Sequence, residues 1–296
     1  MYKYMSDEGA LRFVNTLKVR FTQPDDQNDP FEFRPLLDFE GTAAIAEERI
    51  DAHLAERHGT VEDTLRVLEE AQSTDPKYPK TVPISEVRKM LSSDPTLKQK
   101  VTELAEQARH AVIKDAHPRL VDHMKDGWEK FRQTVARDLG IFCLTGDPTH
   151  SPMWAQYANR HYGVLVEFDE HHQWFDQKKT PTDDIRHLEQ VTYVQNPKPR
   201  TWKEVTAVDM LYTKCAEWNY EREWRIIRPL NDGVEVEPGI FCFDVPPDAV
   251  RSIILGLRTT RDSEQKIRAA VAANPHVRFK RATLGGAGKL GTVDAP

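Results

Sequence analysis

The chain has 296 residues, 39% of them hydrophobic and 30% charged, which is enough for one large domain or two ordinary ones with a buried core. Its net charge of -6 excludes a whole-protein field that would hold nucleic acid or anionic lipid, although a local basic site is compatible with it. Three cysteines without paired spacing indicate reduced thiols. The chain starts without a signal-peptide core and has no apolar run near the ~20 residues that span a bilayer. We therefore expect a cytoplasmic protein with no membrane partner.

Residues 1–40 are predicted to mix strand and helix. Residues 2–4 favour a short strand, and Ser6 precedes a helix in which Leu11, Val14 and Leu17 recur at helical spacing. A second strand is expected near residues 19–22. The turn-forming residues Asn28, Asp29 and Pro30 follow it.

Residues 41–138 are almost wholly helical in pattern. They are rich in Ala, Glu, Arg, Leu and Lys, with predicted breaks near residues 75–83, at Asp94-Pro95 and at His117-Pro118. We interpret them as a helical insertion or subdomain whose charges lie on solvated faces.

Residues 139–296 carry most of the predicted strands, which alternate with predicted helices at 152–160, 202–218 and 263–274. The strand candidates are GIFCLT, YGVLVEFD, QVTYVQ, EREWRII, GIFCFDV and RSIILGL. The chain is thus predicted to be α+β, with residues 1–40 and 139–296 forming one mixed core.

The segment NYEREWRII, residues 219–227, places two carboxylates two residues apart at the start of an apolar run. In a strand, Glu221, Glu223 and Arg225 would share one face. Like charges on one face repel unless they have different roles or meet cations. One simpler alternative is a solvated edge strand whose charges deter aggregation. Another is that Glu221 and Glu223 have a structural role only and pair with Arg222, Arg225 or Lys214.

The histidines and cysteines do not form a recognisable site in the sequence. His171 and His172 lie among acidic residues but lack ligand spacing, and His53 and His58 are five apart rather than four. The cysteines lie in apolar contexts, and there is no GxSxG elbow. We therefore predict no metal.

Residues 151–169, SPMWAQYANRHYGVLVEFD, combine helix and strand signals with polar-tipped aromatic side chains. Core packing of a helix on a sheet explains part of this pattern. Trp154, Tyr157, His161 and Tyr162 also suit a planar ligand, because such groups stack and offer a hydrogen bond.

Five separated blocks of the sequence resemble an uncharacterised bacterial family of unknown function. The blocks are YKY, NDPFE, FCLT, MWAQYANRHYGVLVEFD and WNYEREWRII. Their order and spacing match across most of the chain except the long helical region.

The layout also resembles ADP-ribosyltransferase folds, especially the DNA-modifying toxins of bacterial conflict systems. The resemblance rests on a first strand followed by DEGALRFVNTL, and on EREWRII followed by FDVPPDAVRSIILG. It implies a split antiparallel sheet, interrupted here by the long helical insertion, with NAD as substrate.

The same resemblance implies a set of site residues. Glu223 takes the catalytic place and Glu221 stands two residues earlier. Lys3 is the nearest candidate for the first-strand residue that contacts NAD, with Tyr4 beside it. The remaining NAD-binding candidates are Trp154, Tyr157, His161 and Arg225.

Cleavage of the nicotinamide–ribose bond passes through an oxocarbenium-like centre, which a carboxylate stabilises. A second acid two residues away would position or deprotonate the acceptor, and Arg225 would keep one carboxylate ionised. The leading hypothesis is transfer of ADP-ribose to a nucleic acid or protein in bacterial defence or toxin–antitoxin conflict, with an antitoxin or defence-system protein as partner. Two alternatives are an NAD or nucleotide glycohydrolase and a non-catalytic nucleotide-sensing or protein-interaction module.

Overall fold

A computed structural model describes residues 1–58, 60–74, 83–286 and 289–295. Over these residues the protein divides into two units. The mixed unit comprises residues 1–36, 131–199 and 205–296, and the helical unit comprises residues 37–130 and 200–204. No helix in the described ranges is both long and apolar enough to cross a membrane.

Helices make up most of the middle of the chain and several connections elsewhere. They are α1 (Asp7–Thr16), α2 (Phe39–His58), α3 (Val61–Thr74), α4 (Ile84–Ser93), α5 (Pro95–Asp138), α6 (Ser151–Tyr157), α7 (Ala207–Tyr212) and α8 (Arg261–Val271).

The strands lie at the start of the chain and after residue 138. They are β1 (Tyr2–Met5), β2 (Lys18–Phe21), β3 (Leu139–Thr145), β4 (Val164–Phe168), β5 (Glu189–Gln190), β6 (Thr192–Val194), β7 (Thr213–Cys215), β8 (Glu223–Pro229), β9 (Val234–Glu237), β10 (Ile240–Asp244), β11 (Val250–Leu255), β12 (Arg278–Leu284) and β13 (Leu290–Asp294). The α+β prediction is confirmed.

The mixed unit is built on an eight-stranded sheet with the order β13-β12-β11-β4-β1-β3-β8-β5. Neighbouring strands are antiparallel except β11 and β12, which are parallel because α8 connects them. The sheet is therefore mixed, and the expectation of an antiparallel sheet is corrected at this one pair of strands. One face packs against α1 and α8 around Phe13, Val166 and Ile267.

The other face of the sheet carries a smaller core around Trp154, Leu165 and Ile254. Trp154 is 0% exposed, since its indole lies edge-on to Tyr4 and donates from Nε1 to the Pro148 carbonyl at 2.8 Å. α6 thus supplies the packing that the aromatic pattern indicated.

The helical unit has its own small apolar cluster. Val61 and Leu65 of α3 pack with Ile84 and Leu91 of α4. The predicted break at Asp94-Pro95 is confirmed, because α4 ends at Ser93 and α5 begins at Pro95. The predicted break near residues 75–83 lies mostly outside the described residues.

The break predicted at His117-Pro118 is wrong, because α5 runs through Pro118. A proline removes one N–H from a helix and kinks it, which neighbouring contacts can sustain. Here the His117 ring is held by Glu47 at 2.6 Å and Glu40 at 2.8 Å, both on α2.

Three local predictions in the mixed unit are also corrected. The helix expected at residues 152–160 begins at Ser151, with His150 as its N-cap, and ends at Tyr157. Three consecutive left-handed residues (Asn159, Arg160, His161) terminate it. The single helix expected at residues 202–218 is replaced by two short 3₁₀ helices, α7 and β7, because Thr206 caps α7 and the following residues pair with β6.

The third correction concerns the two carboxylates. β8 begins at Glu223, whereas Glu221 is the last residue of a 3₁₀ helix, Ala216–Glu221. Arg222 separates them in the left-handed conformation (φ 45°), so Glu221 does not share a strand face with Glu223. β8 is also paired on both sides, by β3 and β5, and each carboxylate is only 4% exposed. The solvated edge-strand alternative is therefore wrong.

Candidate functional site

The candidate site is a cavity of about 210 Å³ at the place where β1 and β3 part. β1 pairs with β4 along its full length but with β3 only at Tyr2 and Thr145. Farther along β3, the backbone of Ile141 is bonded to Thr22 instead. The Lys3 ammonium bridges the gap by donating to the Cys143 carbonyl at 2.8 Å. The cavity opens between these two strands.

Glu221 and Glu223 lie on the cavity wall and share one cation. The Lys214 ammonium on β7 donates to Glu221 Oε2 at 2.7 Å and to Glu223 Oε2 at 3.1 Å. The 3₁₀ helix that ends at Glu221 is anchored to β3, because the Thr145 hydroxyl donates to the Glu221 carbonyl at 2.6 Å. The two acids therefore converge although they stand on different elements.

Arg225 is the second cation bound to Glu223. Its guanidinium donates to both carboxylate oxygens of Glu223, at 2.7 and 3.1 Å, and to the Leu211 carbonyl at 2.7 Å. The same guanidinium forms an ion pair with Glu32, which is itself buried. Glu223 is thus fixed in orientation by a forked contact.

The buried charges shift the acid–base properties of this cluster. Burial raises the pKa of the Glu223 carboxyl, and the neighbouring Lys214 offsets this only in part. Burial also lowers the pKa of Arg225 to about 9, which leaves it charged at neutral pH. For Lys214, burial lowers the pKa, but Glu223 and Glu221 outweigh it and the net pKa is raised. Lys214 therefore stays charged between the two acids.

Tyr157 supplies a polar aromatic tip to the cavity. Its hydroxyl donates to Glu221 Oε1 at 2.5 Å and accepts from the Asn28 amide, also at 2.5 Å. Burial and the bond to Glu221 raise the pKa of Tyr157, so its hydroxyl stays protonated. Asn28, Tyr157 and Glu221 form a continuous hydrogen-bonded chain along one wall.

Two further contacts fix the backbone around the cavity. Tyr193 accepts a hydrogen bond from the Glu223 amide at 2.9 Å, and Tyr4 donates to the Asp147 carbonyl at 3.0 Å. Cys143 also lines the cavity, and its thiol donates to Gln27 Oε1 at 3.8 Å. The remaining lining residues are Tyr2, Thr22, Asp26, Ile141, Leu144, Thr145 and Met153.

Residues 153–226 match the family described as "Protein of unknown function (DUF2971)". The resemblance to an uncharacterised family is thereby confirmed over this segment. No curated protein and no solved structure matches the chain. The DUF2971 segment contains Tyr157, Lys214, both carboxylates and Arg225, whereas β1 and the NDPFE block lie outside it.

The structure brings together five of the residues singled out in the sequence: Lys3, Tyr4, Tyr157, Glu221 and Glu223 all line the cavity. The other four do not line it. Trp154 is fully buried and the His161 ring stacks on it with centroids 6.3 Å apart, Tyr162 is exposed, and Arg225 contacts the cavity only through its bonds to Glu223.

Two residues of the site are not predicted from the sequence as site residues: Asn28 and Glu32. Both belong to the NDPFE block, whose residues predict a turn. The resemblance of this block to one in the uncharacterised family was the available indication that the turn has another role. Lys214 was a predicted ion partner of the two carboxylates, and the structure confirms that pairing.

The described residues contain no group of three or more His, Cys, Asp or Glu side chains arranged to hold a metal ion. The chemistry open to the cavity's own side chains is that of carboxylates, ammonium groups, hydroxyls, amides and the Cys143 thiol. Two acids held by fixed cations at one wall suit general acid–base work and the stabilisation of positive charge.

Proposed function

We propose that the protein transfers ADP-ribose from NAD to a macromolecular acceptor, within an ADP-ribosyltransferase-like fold. The observation that carries this proposal is the position of Glu223. It is the first residue of β8 and lies in a cavity between two diverging strands, β1 and β3. That arrangement agrees with what the resemblance to ADP-ribosyltransferases implies for the catalytic acid and the split of the sheet.

The charge balance of the buried cluster supports a cationic ligand. Four buried carboxylates (Asp29, Glu32, Glu221, Glu223) face two buried cations, Lys214 and Arg225, and the partly buried Lys3 ammonium is a third positive charge at the cavity. In a low-dielectric site such a surplus of negative charge favours a positive group. The pyridinium ring of NAD and the oxocarbenium-like centre formed on its cleavage both carry positive charge.

The size of the cavity is consistent with one end of the dinucleotide. Drug-sized ligands occupy pockets of roughly 300–1,000 Å³, and this cavity measures about 210 Å³. In this proposal the nicotinamide and its ribose enter the cavity, with Tyr4 and Tyr157 as aromatic neighbours and Lys3 as a polar contact.

The proposed reaction uses the two carboxylates differently. The bond between the ribose C1′ and the nicotinamide nitrogen breaks, and its electron pair neutralises the pyridinium. Glu223 stabilises the positive ribose carbon, and an acceptor oxygen or nitrogen bonds to that carbon. The acceptor's proton passes to Glu221. Lys214 and Tyr157 hold Glu221 in place for this step.

Burial of both acids favours a second candidate, NAD glycohydrolysis. Glu221 and Glu223 are each 4% exposed, so water reaches them more readily than a macromolecule. The same bond breaks, a water oxygen bonds to C1′, and the proton that this water loses passes to Glu221.

Incubation of the protein with labelled NAD, nucleic acid and protein extract tests these proposals by mass analysis of the products. Transfer predicts free nicotinamide together with an ADP-ribose adduct on a macromolecule. Nicotinamide with an equal amount of free ADP-ribose would support hydrolysis instead. If NAD binds without being cleaved, the protein is a nucleotide-sensing module and both catalytic proposals fail.

A further inference from the structure

One short segment, Asn28–Glu32 (sequence NDPFE), is connected to both carboxylates of the candidate site. Asn28 donates to the Tyr157 hydroxyl, which donates to Glu221. Glu32 forms an ion pair with Arg225, whose guanidinium is forked onto Glu223. Asn28 thus reaches Glu221 through Tyr157, and Glu32 reaches Glu223 through Arg225. Glu32 also lies 3.9 Å from the ammonium of Lys214, the cation that both carboxylates share.

Burial separates this segment from an ordinary surface turn. Asp29 and Glu32 are almost fully enclosed, at 4% and 6% exposure, whereas Phe31 between them is 73% exposed. A turn that only reverses the chain has no need to bury two acids and expose an aromatic ring. The segment is also tied internally, since Asp29 Oδ1 accepts from the Phe31 amide at 2.9 Å.

The energetic reason for burying Glu32 lies in Arg225. A buried guanidinium needs partners for all its N–H groups, and Glu223 and the Leu211 carbonyl occupy only part of the fork. Glu32 supplies a further negative partner for this guanidinium, in a buried ion pair. Without it, Arg225 would have to turn toward other acceptors and release its forked hold on Glu223.

We infer that the segment Asn28–Glu32 is a positioning element for both site carboxylates, with Asn28 orienting Glu221 through Tyr157 and Glu32 orienting Glu223 through Arg225. Any effect of this segment on catalysis rests on the proposed function. The positioning of the two carboxylates does not, and it is therefore tested by thiol alkylation and NMR measurements that involve no NAD.

The Glu32 branch is tested through the thiol of Cys143, in a Cys215→Ser, Cys242→Ser background where it is the only thiol. Burial raises the pKa of Cys143, and the neighbouring Glu223 raises it further. Glu223→Gln should therefore speed alkylation of Cys143, by about tenfold for each unit by which the pKa falls. Glu32→Gln should speed it in the same direction, because Glu223 is no longer held in place.

The double variant Glu32→Gln, Glu223→Gln decides the mechanism. If Glu32 acts through Glu223, the double variant should react no faster than Glu223→Gln alone. This branch would be overturned if Cys143 in Glu32→Gln were alkylated at the parent rate. It would also be overturned if the alkylation rate of the double variant exceeded that of Glu223→Gln by the full effect of Glu32→Gln. Phe31→Ser is the matched control within the same segment, and its alkylation rate should stay at the parent value.

The Asn28 branch is tested by NMR of protein labelled at the tyrosine ring Cζ carbon, with the Tyr157 resonance assigned from Tyr157→Phe. Asn28→Ala and Glu221→Gln should each shift this resonance, while Phe31→Ser should not. An unmoved Tyr157 resonance in Asn28→Ala would overturn this branch.

If NAD turnover is found, Asn28→Ala should lower kcat for transfer by about tenfold, with little change in KM, because one orienting hydrogen bond is lost. Its effect should vanish in a Tyr157→Phe background. Additive effects of Asn28→Ala and Tyr157→Phe would contradict positioning through Tyr157. Absence of turnover in the parent protein would defeat the proposed function and leave the thiol and NMR results to decide the positioning.

Discussion

The Tyr157 hydroxyl donates to Glu221 at 2.5 Å, although the two residues are 64 positions apart in the chain. This bond joins the end of α6 to the 3₁₀ helix that precedes β8. It makes the aromatic block around Trp154 and the acidic block around Glu223 two walls of one cavity.

The carboxylates themselves provide the first prediction. Glu223→Gln keeps shape and hydrogen bonding but removes the charge that stabilises the oxocarbenium-like centre, so it should abolish both transfer and hydrolysis. Loss of one such electrostatic contact commonly lowers kcat by ~10²–10³. Glu221→Gln should depress transfer and leave some hydrolysis, because water needs less positioning than a macromolecule. Rates of nicotinamide release and adduct formation measure both effects.

Glu264→Gln is the control for these variants. Glu264 on α8 also accepts from two arginines, Arg268 and Arg281, but it does not line the cavity. This change should leave NAD cleavage at the parent rate. Folded Glu221→Gln and Glu223→Gln variants with full activity on NAD would place the chemistry elsewhere.

Lys214 provides a prediction about stability. Lys214→Met leaves Glu221 and Glu223 buried side by side without their shared cation, which should cost ~3–5 kcal/mol of unfolding free energy. Urea unfolding followed by fluorescence measures the change. Adding Glu221→Gln should recover part of the loss, because one of the two like charges is then removed.

Lys266→Met is the matched control for Lys214→Met. Lys266 pairs with Asp262 on the exposed side of α8, and pairs of this kind contribute ~0.3–0.5 kcal/mol. An equal loss for the two lysine variants would mean that Lys214 is not a buried ion partner.

Trp154 provides the third prediction. Its indole is fully enclosed between Tyr4 and the Pro148 carbonyl, so Trp154→Ala should destabilise the protein by ~3–5 kcal/mol. Trp154→Phe keeps an aromatic ring and loses the Nε1 hydrogen bond, and should cost less. Half-exposed Trp202 is the comparison. A Trp154→Ala loss no larger than that of Trp202→Ala, on reversible unfolding curves, would contradict burial.

The fourth prediction concerns pH and Glu167 on β4. Burial raises the pKa of this carboxyl, but Lys280 at 2.8 Å and the Ser252 hydroxyl outweigh it, so the net pKa lies below the usual 4.5. The folded state thus binds this proton less readily than the unfolded state. The stabilising contribution of Glu167 is present above pH 4.5 and is lost as the pH falls through the folded-state value.

Glu167→Gln should remove this dependence. The difference in unfolding free energy between parent and variant should shrink as the pH falls below 4.5 and stay constant above it. Unfolding curves across that range measure it. A difference that grows on acidification would contradict the direction of the pKa shift.

The local elements follow from the sequence because their causes lie within a few residues of one another. Ser6 caps α1 by accepting from the Gly9 amide, and an Asp-Pro pair ends α4. Apolar runs in the sequence predicted β3, β4 and β11 correctly, because a buried central strand is apolar over most of its length. These features needed no knowledge of distant contacts.

The sequence pattern predicted the wrong secondary structure for two residues of the site, Lys214 and Glu221. Lys214 was predicted within a helix, but pairing of β7 with β6 holds it in a strand and buries its ammonium. Glu221 was predicted in a strand, but a single left-handed residue, Arg222, keeps it in the preceding 3₁₀ helix. The spacing of apolar side chains along the sequence does not indicate either the pairing of two distant strands or a single left-handed backbone residue.

The sequence by itself determined which residue types were available: two acids, a run of polar-tipped aromatics and a turn-forming NDPFE block. Only the tertiary structure decided that they meet. Asn28 and Tyr157 are 129 positions apart, and they come together because β1 and β3 part at one point of the sheet. Strand order and register set that geometry, and they arise from the packing of the whole sheet rather than from any one segment of the chain.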